Sequence, residues 1–469
     1  MESINFITDD KLHEECGVFG VYAPSGCEVA KDIYYGLISL QHRGQESAGI
    51  SVSDTDGPMG NIRTKKGMGL VSEVFSKNDL NELSGNIGVG HVRYSTTGGS
   101  LLENAQPIAM NYIKGSLALV HNGNIVNAGE LKEAQMYRGQ AHYTSSDSEV
   151  LSYEIISERV KTGSIEEAVE KAASRLKGGY ACVIMSPRKL IAVRDPNGIK
   201  PLVFGKRENA YMFASESAAI KALGGEVLRD VKPGEIVTVT DMTKDGNARI
   251  KSVMIPGNET EAHCIFEYIY FARSDSVIDK VSVYEARVRA GHALAKANET
   301  QADIVVGVPD SGLAAAEGFA QESGIPLAVA FHKNSYVGRS FIKPTDEQRR
   351  MAVRMKLSVQ GDVVRGKRVI LIDDSIVRGT TMRQIVEMLR EEGAVEVHVR
   401  VSSPPFLYPC YYGTDVPSSG QLIASQHSTE EVCKRIGSDT LEYLRLQDLS
   451  AMVGDLPICA ACFDNSYPV

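Results

Sequence analysis

Four consecutive β-favouring apolar residues, Val369-Ile370-Leu371-Ile372, run directly into Asp373-Asp374-Ser375-Ile376-Val377-Arg378-Gly379-Thr380-Thr381. An apolar run of this length without alternation describes a strand buried on both faces, as in the middle of a parallel sheet. That commits this part of the chain to an α/β layer structure, because parallel neighbours need crossover connections, usually helices. The following helix is legible: Met382, Ile385, Val386 and Leu389 keep the i, i+3, i+4, i+7 spacing, and Gly393 stands where a C′ residue would end it. Two adjacent carboxylates at the carboxyl end of such a strand sit where open α/β sheets bind ligands. The Ser-, Gly- and Thr-containing link then leads into a helix N-terminus, whose free N–H groups and positive dipole end suit a phosphate. The carboxylates suit a Mg²⁺ ion or sugar hydroxyls. Taken by spacing alone, the same unit also reads as a solvated acidic turn between a strand and a helix.

The full string Ile-Asp-Asp-Ser-Ile-Val-Arg-Gly-Thr-Thr resembles the 5-phosphoribosyl-1-pyrophosphate (PRPP) motif of the type I phosphoribosyltransferases. The resemblance implies that Asp373 and Asp374 contact the ribose hydroxyls, directly or through Mg²⁺. It further implies that Ser375, Gly379, Thr380 and Thr381 wrap the 5-phosphate.

The chain has 469 residues, which at about 150 residues per domain is two to four domains. Charged residues are 23% and hydrophobic residues 43%, ordinary globular values that argue against disorder. A net charge of −9 opposes nonspecific nucleic-acid binding, which needs a basic face, and favours a small-molecule substrate. No apolar run approaches the roughly 18 residues of a membrane span, and residues 1–15 are polar and acidic, unlike a signal peptide. The expectation is a cytoplasmic protein whose eight cysteines are reduced, with catalysis or metal binding as their special uses.

In the N-terminal half, Cys16 heads an alternating run, Gly17-Val18-Phe19-Gly20-Val21-Tyr22, that reads as a strand. A cysteine there is ordinarily a small buried hydrophobe. Downstream, however, come Leu40-Gln41-His42-Arg43-Gly44-Gln45-Glu46-Ser47, His91-Val92-Arg93-Tyr94-Ser95-Thr96, His121-Asn122-Gly123 and Ser145-Ser146-Asp147-Ser148-Glu149. In order and in local sequence these resemble the glutaminase domain of the N-terminal-nucleophile (Ntn) amidotransferases. The chemistry fits the residue types. A free thiol with pKa about 8.5 is only slightly ionised at neutral pH, and an α-amino group at about 7.7–8.0 can serve as its base. That amine lies beside the thiol only if Cys16 begins the mature chain, so residues 1–15 are expected to be a propeptide. The resemblance assigns Cys16 as nucleophile, the Asn122 side chain and Gly123 N–H as oxyanion hole, Arg93 to the glutamine carboxylate and Asp147 to its ammonium. Alone, Asn-Gly is a hairpin-turn signal. Arg43 and His91 belong to the matching strings without an independent chemical reason. Arg194 to Leu202 and Phe213 to Ser217 read as support, a strand pair around Val231 to Val237 as closing the domain, and Asp241 to Gly257 as its exit.

In the C-terminal half, Ile304-Val305-Val306-Gly307-Val308 is a second buried strand, followed by Pro309-Asp310-Ser311-Gly312 and a helix. By resemblance this is a pyrophosphate loop with Ser311 as a Mg²⁺ contact; a helix N-cap is the other reading of Ser311. A strand is expected over residues 325–331. The basic segment beyond it resembles the family's loop that closes over PRPP, with Lys333, Arg339 and Lys356 as cationic partners of the phosphates. Cys264, Cys410, Cys459 and Cys462 lie in strings matching the iron–sulfur subgroup, which implies a [4Fe-4S] cluster; tetrahedral zinc remains the alternative. Cys27, Cys182 and Cys433 match no motif.

From about residue 13 to 465 the chain resembles the amidophosphoribosyltransferases. The fold implied is an Ntn αββα sandwich over 16–255 followed by a type I phosphoribosyltransferase α/β domain over 256–469. The function implied is conversion of PRPP, glutamine and water to 5-phosphoribosylamine, pyrophosphate and glutamate, in a homo-oligomer such as a homotetramer inhibited by purine nucleotides. Other glutaminase-coupled synthases share only the first half. A PRPP-sensing regulator would have no use for the glutaminase set.

Overall fold

The computed structural model describes residues 16–58, 60–94, 99–256, 260–297, 299–334, 351, 353–414, 418–454 and 456–469. The expected propeptide, Ser95, Thr96 and Arg339 lie outside these residues.

Among the described residues the first half forms two antiparallel sheets. In the seven-stranded sheet, Gly17–Tyr22 is central, paired with Ala210–Ala214 on one side and Ile87–Arg93 on the other. In the six-stranded sheet, Gly115–Ile125 lies between Ile108–Tyr112 and Gly178–Ser186. The period-2 alternation decides the layering. Val18 and Tyr22 pack with Ala118, Val120, Ala181 and Val183 between the sheets. Phe19 and Val21 face the opposite way, onto Ile33 and Leu37 of the Ala30–Ser39 helix. Leu117 and Leu119 similarly face Leu151 and Ile155 of the Asp147–Lys161 helix. Helix, sheet, sheet and helix stack in that order, the expected αββα sandwich.

Two details differ from expectation. The strands around Val231–Val237 do not pair with each other: Glu226–Asp230 ends the seven-stranded sheet, while Glu235–Thr240 joins the six-stranded one. The intervening Val231-Lys232-Pro233-Gly234 carries the chain across the sandwich, because Pro233 cannot donate to a ladder and Gly234 turns with φ +70°. The presumed exit contains a further edge strand, Arg249–Met254, paired to Glu235–Thr240.

The second half holds a four-stranded parallel sheet in the order Ile304–Gly307, Arg368–Asp373, Glu396–Val401, Thr440–Tyr443. Val305, Ile370 and Ile372 pack on one face with Ala315, Ala316 and Phe319; Val306, Val369 and Leu371 pack on the other with Met382, Ile385, Val386 and Leu389. The apolar run is therefore buried on both faces and hydrogen-bonded on both edges. Its helix spans Thr380–Glu391, with Gly393 at positive φ just beyond. Residues 325–331 are not a continuous strand. They meet the edge strand through a single bridge, Val305 to Leu327, since Pro326 offers only its carbonyl there, to the Val305 N–H at 2.9 Å. The strand begins at Phe331, in Phe331–Lys333.

Candidate active sites

Cys16 immediately precedes the Gly17–Tyr22 strand and is 8% exposed, with its Sγ 3.4 Å from the Tyr94 carbonyl. Burial pushes its thiol above the usual range, opposed chiefly by the Arg93 guanidinium. A thiol held protonated needs a neighbouring base before it can attack. Arg43, which sequence reasoning left without a role, donates to the Cys16 carbonyl at 3.3 Å. Its guanidinium is also seated on two buried carboxylates, Glu216 at 2.5 Å and Glu267 through both oxygens at 2.5 and 3.0 Å. Burial would raise the Glu216 carboxyl, but the His42 and Arg43 charges hold it well below its ordinary value. Glu267 belongs to the C-terminal half, so one fully buried cation joins the Cys16 backbone to the other half of the chain.

Asn122 and Gly123 are not a turn; they lie within the Gly115–Ile125 strand. Asn122 shares the face of Ala118 and Val120, toward the interior of the sandwich, and its buried Nδ2 has no hydrogen-bond partner among the described residues. Leaving a buried donor unpaired costs about 1–3 kcal/mol, which a fold tolerates where the donor has work to do. Gly123 stands opposite Tyr180, whose N–H and C=O both go to Asp195. The 123–180 pair is therefore a non-hydrogen-bonded one, and the Gly123 N–H points away from that neighbour. Only glycine fits: φ is +131°, and a Cβ would fall 2.1 Å from the Gly179 carbonyl.

Arg93 ends the Ile87–Arg93 strand, buried, with one Nη on the Gly99 carbonyl at 3.3 Å. Asp147 opens the Asp147–Lys161 helix and is tied to the strand that carries Asn122 and Gly123, accepting the Ile125 N–H at 3.0 Å with His121 Nδ1 3.5 Å away. Burial raises its carboxyl, but the His121 ring and these hydrogen bonds leave it below the usual range. A carboxylate that stays ionised suits an ammonium partner.

At the second site, Asp373 and Asp374 are buried at the end of the central parallel strand. Asp374 accepts the hydroxyls of Ser311 and Ser375 on its two oxygens. Ser311 does stand at the N-cap position of Gly312–Ser323 but its side chain caps nothing; its hydroxyl goes to the acidic pair instead. Asp373, Ser375, Gly379 and Thr381 line one small cavity with Ile376, Val377 and Met382. Gly379 is the N-cap residue of Thr380–Glu391, so the first amides of that helix open onto this loop. Lys333 ends Phe331–Lys333 and its ammonium pairs with Asp310 beside Ser311. Lys356 is brought to the same end of that ribbon, its carbonyl accepting the Asn334 N–H at 2.8 Å.

Cys264, Cys410, Cys459 and Cys462 line one cavity with Ile199, Lys200, Phe266 and Tyr412, with no disulfide among them. Cys264 and Cys459 are register partners in a two-residue parallel bridge. Burial pushes Cys459 up to about 12 and Cys462 well above its ordinary value, and in both the neighbouring cysteines add to the rise. Thiols raised in this way, as Cys459 and Cys462 are, ionise readily only beside compensating positive charge. Among the described residues no group of His, Cys, Asp or Glu is spaced as it stands to hold a metal ion. No described helix is long and apolar enough to cross a membrane.

Comparison with known proteins matches the same two halves. A glutamine amidotransferase domain family covers residues 91–222 and a phosphoribosyl transferase domain family residues 284–403. The amidophosphoribosyltransferase of Archaeoglobus fulgidus is 47% identical over 458 residues, covering 97% of this chain and 98% of that one. The Bacillus subtilis amidophosphoribosyltransferase is 46% identical, covering 97% and 94%. The crystallised glutamine PRPP amidotransferase of B. subtilis, complexed with ADP and GMP, superposes with a TM-score of 0.88 at 44% identity, covering 97% of each chain. Full-length similarity at this level, on a fold that carries both sites, places the chain in the amidophosphoribosyltransferase family.

Proposed function

We infer that this chain makes 5-phosphoribosylamine from PRPP, with glutamine as nitrogen source, releasing pyrophosphate and glutamate. This is the first committed step of purine biosynthesis. The observation that carries the reading is the orphaned Asn122 Nδ2, buried on the sandwich-facing side of a strand whose Gly123 N–H also points out of the ladder, in a chain that ends a parallel strand with Asp373-Asp374. Cys16 Sγ attacks the glutamine amide carbon while the α-amino group of a chain starting at Cys16 takes the thiol proton. Asn122 and Gly123 stabilise the oxyanion, and collapse to the thioester expels ammonia, which carries that proton away. Arg93 and Asp147 hold the two ends of the amino acid. Water then releases glutamate. At the second site Asp373 and Asp374 orient the ribose while Ser375, Gly379, Thr380 and Thr381 hold the 5-phosphate. Lys333, Lys356 and Arg339 serve the phosphates. Mg²⁺, brought with the pyrophosphate and held by Ser311, Asp373 and Asp374, would neutralise the leaving group; such an ion keeps most of its oxygens from substrate and water, so no dense protein cage is needed. Pyrophosphate release from PRPP should require glutamine or ammonium salt. Release at the same rate with neither would overturn the reading.

Three further features belong to this proposal. Residues 1–15 are a propeptide: intact-mass measurement of active protein should give a chain beginning at Cys16, and full activity with those residues attached would refute it. The four cysteines hold a [4Fe-4S] cluster. Cys264, Cys410, Cys459 and Cys462, which line one cavity, would supply the four thiolates of such a cluster, and tetrahedral zinc would use the same ligand set. Purified protein should be brown with near-equal iron and acid-labile sulfide, and Cys459→Ser should lower thermal stability more than glutaminase activity; stoichiometric zinc without iron would reverse the assignment. The B. subtilis structure was solved with ADP and GMP. Inhibition by purine nucleotides is proposed here on that likeness, and assembly as a homo-oligomer on the family resemblance alone.

A further inference from the structure

We propose that Gln106 is a positioning residue for the oxyanion hole, its side-chain amide standing in for a strand that stops too early. The inference rests on the reading of Asn122 and Gly123 given above. The neighbour of Gly115–Ile125 on this edge is Ile108–Tyr112, and their pairing ends at Ile108 opposite Leu119. His121, two residues further on, would leave its N–H and C=O without a ladder partner. The Gln106 amide supplies both: Oε1 accepts the His121 N–H at 2.6 Å, and Nε2 donates to the His121 carbonyl at 3.2 Å. The amide orientation is fixed by these two partners, since the N–H needs an acceptor and the carbonyl a donor.

His91 completes the clamp, with Nε2 3.0 Å from the same carbonyl. Burial holds the His91 ring down to about 3, so it is neutral at working pH and must carry its proton on Nε2 to donate here. The clamp is itself firmly seated. Gln106 is buried, and its carbonyl lies against Gly49 so closely that a Cβ there would fall 2.1 Å from it. Backbone N–H groups two apart in a strand point to the same edge, about 6.6 Å from one another. The N–H held by Gln106 and the N–H of Gly123 are such a pair, with the Asn122 side chain between them. A strand edge that moved by a few tenths of an ångström at His121 would misplace both oxyanion donors while leaving Cys16 and Arg93, which other strands carry, in position.

The test compares Gln106→Leu, which removes both bonds, with Gln106→Glu, which keeps an acceptor for the N–H and loses the donor. In each mature protein, glutamine turnover, Cys16 alkylation by iodoacetamide, synthesis from ammonium salt and the melting temperature are measured. Gln106→Leu should lower kcat for glutamine by about 10- to 100-fold, below the 10²–10³ of losing an oxyanion donor outright. Alkylation and ammonium-dependent synthesis, which do not use the hole, should stay within about twofold, and KM for glutamine should change less than kcat. Gln106→Glu should fall between Gln106→Leu and the parent. An unchanged kcat in both variants, or parallel loss of turnover, alkylation and thermal stability in both, would overturn the proposal. Asn122→Ala separates the two levels: if it keeps full glutamine turnover, the oxyanion-hole reading itself fails. If it is crippled while Gln106→Leu is not, only the clamp fails.

Discussion

Cys16→Ala should abolish glutamine-dependent synthesis, by at least about 10⁴-fold, and leave synthesis from ammonium salts within a few-fold of the parent. The thiol and the Asn122–Gly123 donors act on the amide alone, whereas the Asp373–Asp374 site meets neutral NH₃ whatever its source. Free NH₃ is a small fraction of total ammonia near neutrality, so the ammonium rate should climb as pH rises. Folding is not expected to suffer, because Cys16 precedes the first strand and, among the described residues, its Sγ makes one hydrogen bond, to the Tyr94 carbonyl. The contact that anchors this position, from Arg43, is to the backbone carbonyl, which alanine keeps. Equal loss of both activities in a folded Cys16→Ala protein would mean that the thiol does something other than make ammonia.

The converse pair lies at the other site. Asp373→Asn and Asp374→Asn should each lower phosphoribosyl transfer by on the order of 10²-fold or more, with glutamine and with ammonium alike. A carboxamide supplies no charge to Mg²⁺ and has one acceptor oxygen in place of two. Asp374 shows why that matters: Ser375 donates to one of its oxygens and Ser311 to the other, so an amide could keep only one of them as a donor and would have to turn the other serine hydroxyl into an acceptor for its N–H. Asp373 Oδ1 accepts the Asp374 N–H at 3.0 Å, a bond asparagine can keep, so its loss should be mainly one of charge. Wild-type turnover of PRPP in both variants would contradict the assignment of this strand end.

Much of this was readable without coordinates where the signal is local. The run Val369 to Ile372, its two carboxylates and the helix face of Met382, Ile385, Val386 and Leu389 lie within about twenty residues, and periodicity alone orders them. Asn122-Gly123 was readable only through its family string, because the dipeptide by itself is a turn signal. Its place inside a strand is set by pairing with Ala181 and Tyr180, far along the chain. The misread pair around Val231–Val237 fails for the same reason, since alternation predicts a strand but not which sheet it joins. Gln106 and Arg43 act over distances that pattern does not reach. Gln106 replaces a strand partner for a residue 15 positions away, and Arg43 meets Glu267 across 224 positions. A buried polar residue next to the end of a short edge strand is the signal that could have flagged Gln106. The four cysteines proposed to hold a cluster sit between these cases: each string was recognisable, but only the fold brings Cys264, Cys410, Cys459 and Cys462 to one cavity.

The central claim is that one site makes ammonia for the other, with Arg43 bridging the Cys16 backbone and Glu267 between them. The most direct measurement follows glutamate and pyrophosphate together in the same reaction, with and without PRPP, on the mature protein. The account predicts one glutamate per pyrophosphate when both substrates are present, and glutamate formation at a small fraction of that rate when PRPP is withheld, because the second site is then open and offers ammonia no acceptor. Glutamate released at the same rate whether or not PRPP is present, with no pyrophosphate appearing alongside it, would contradict it.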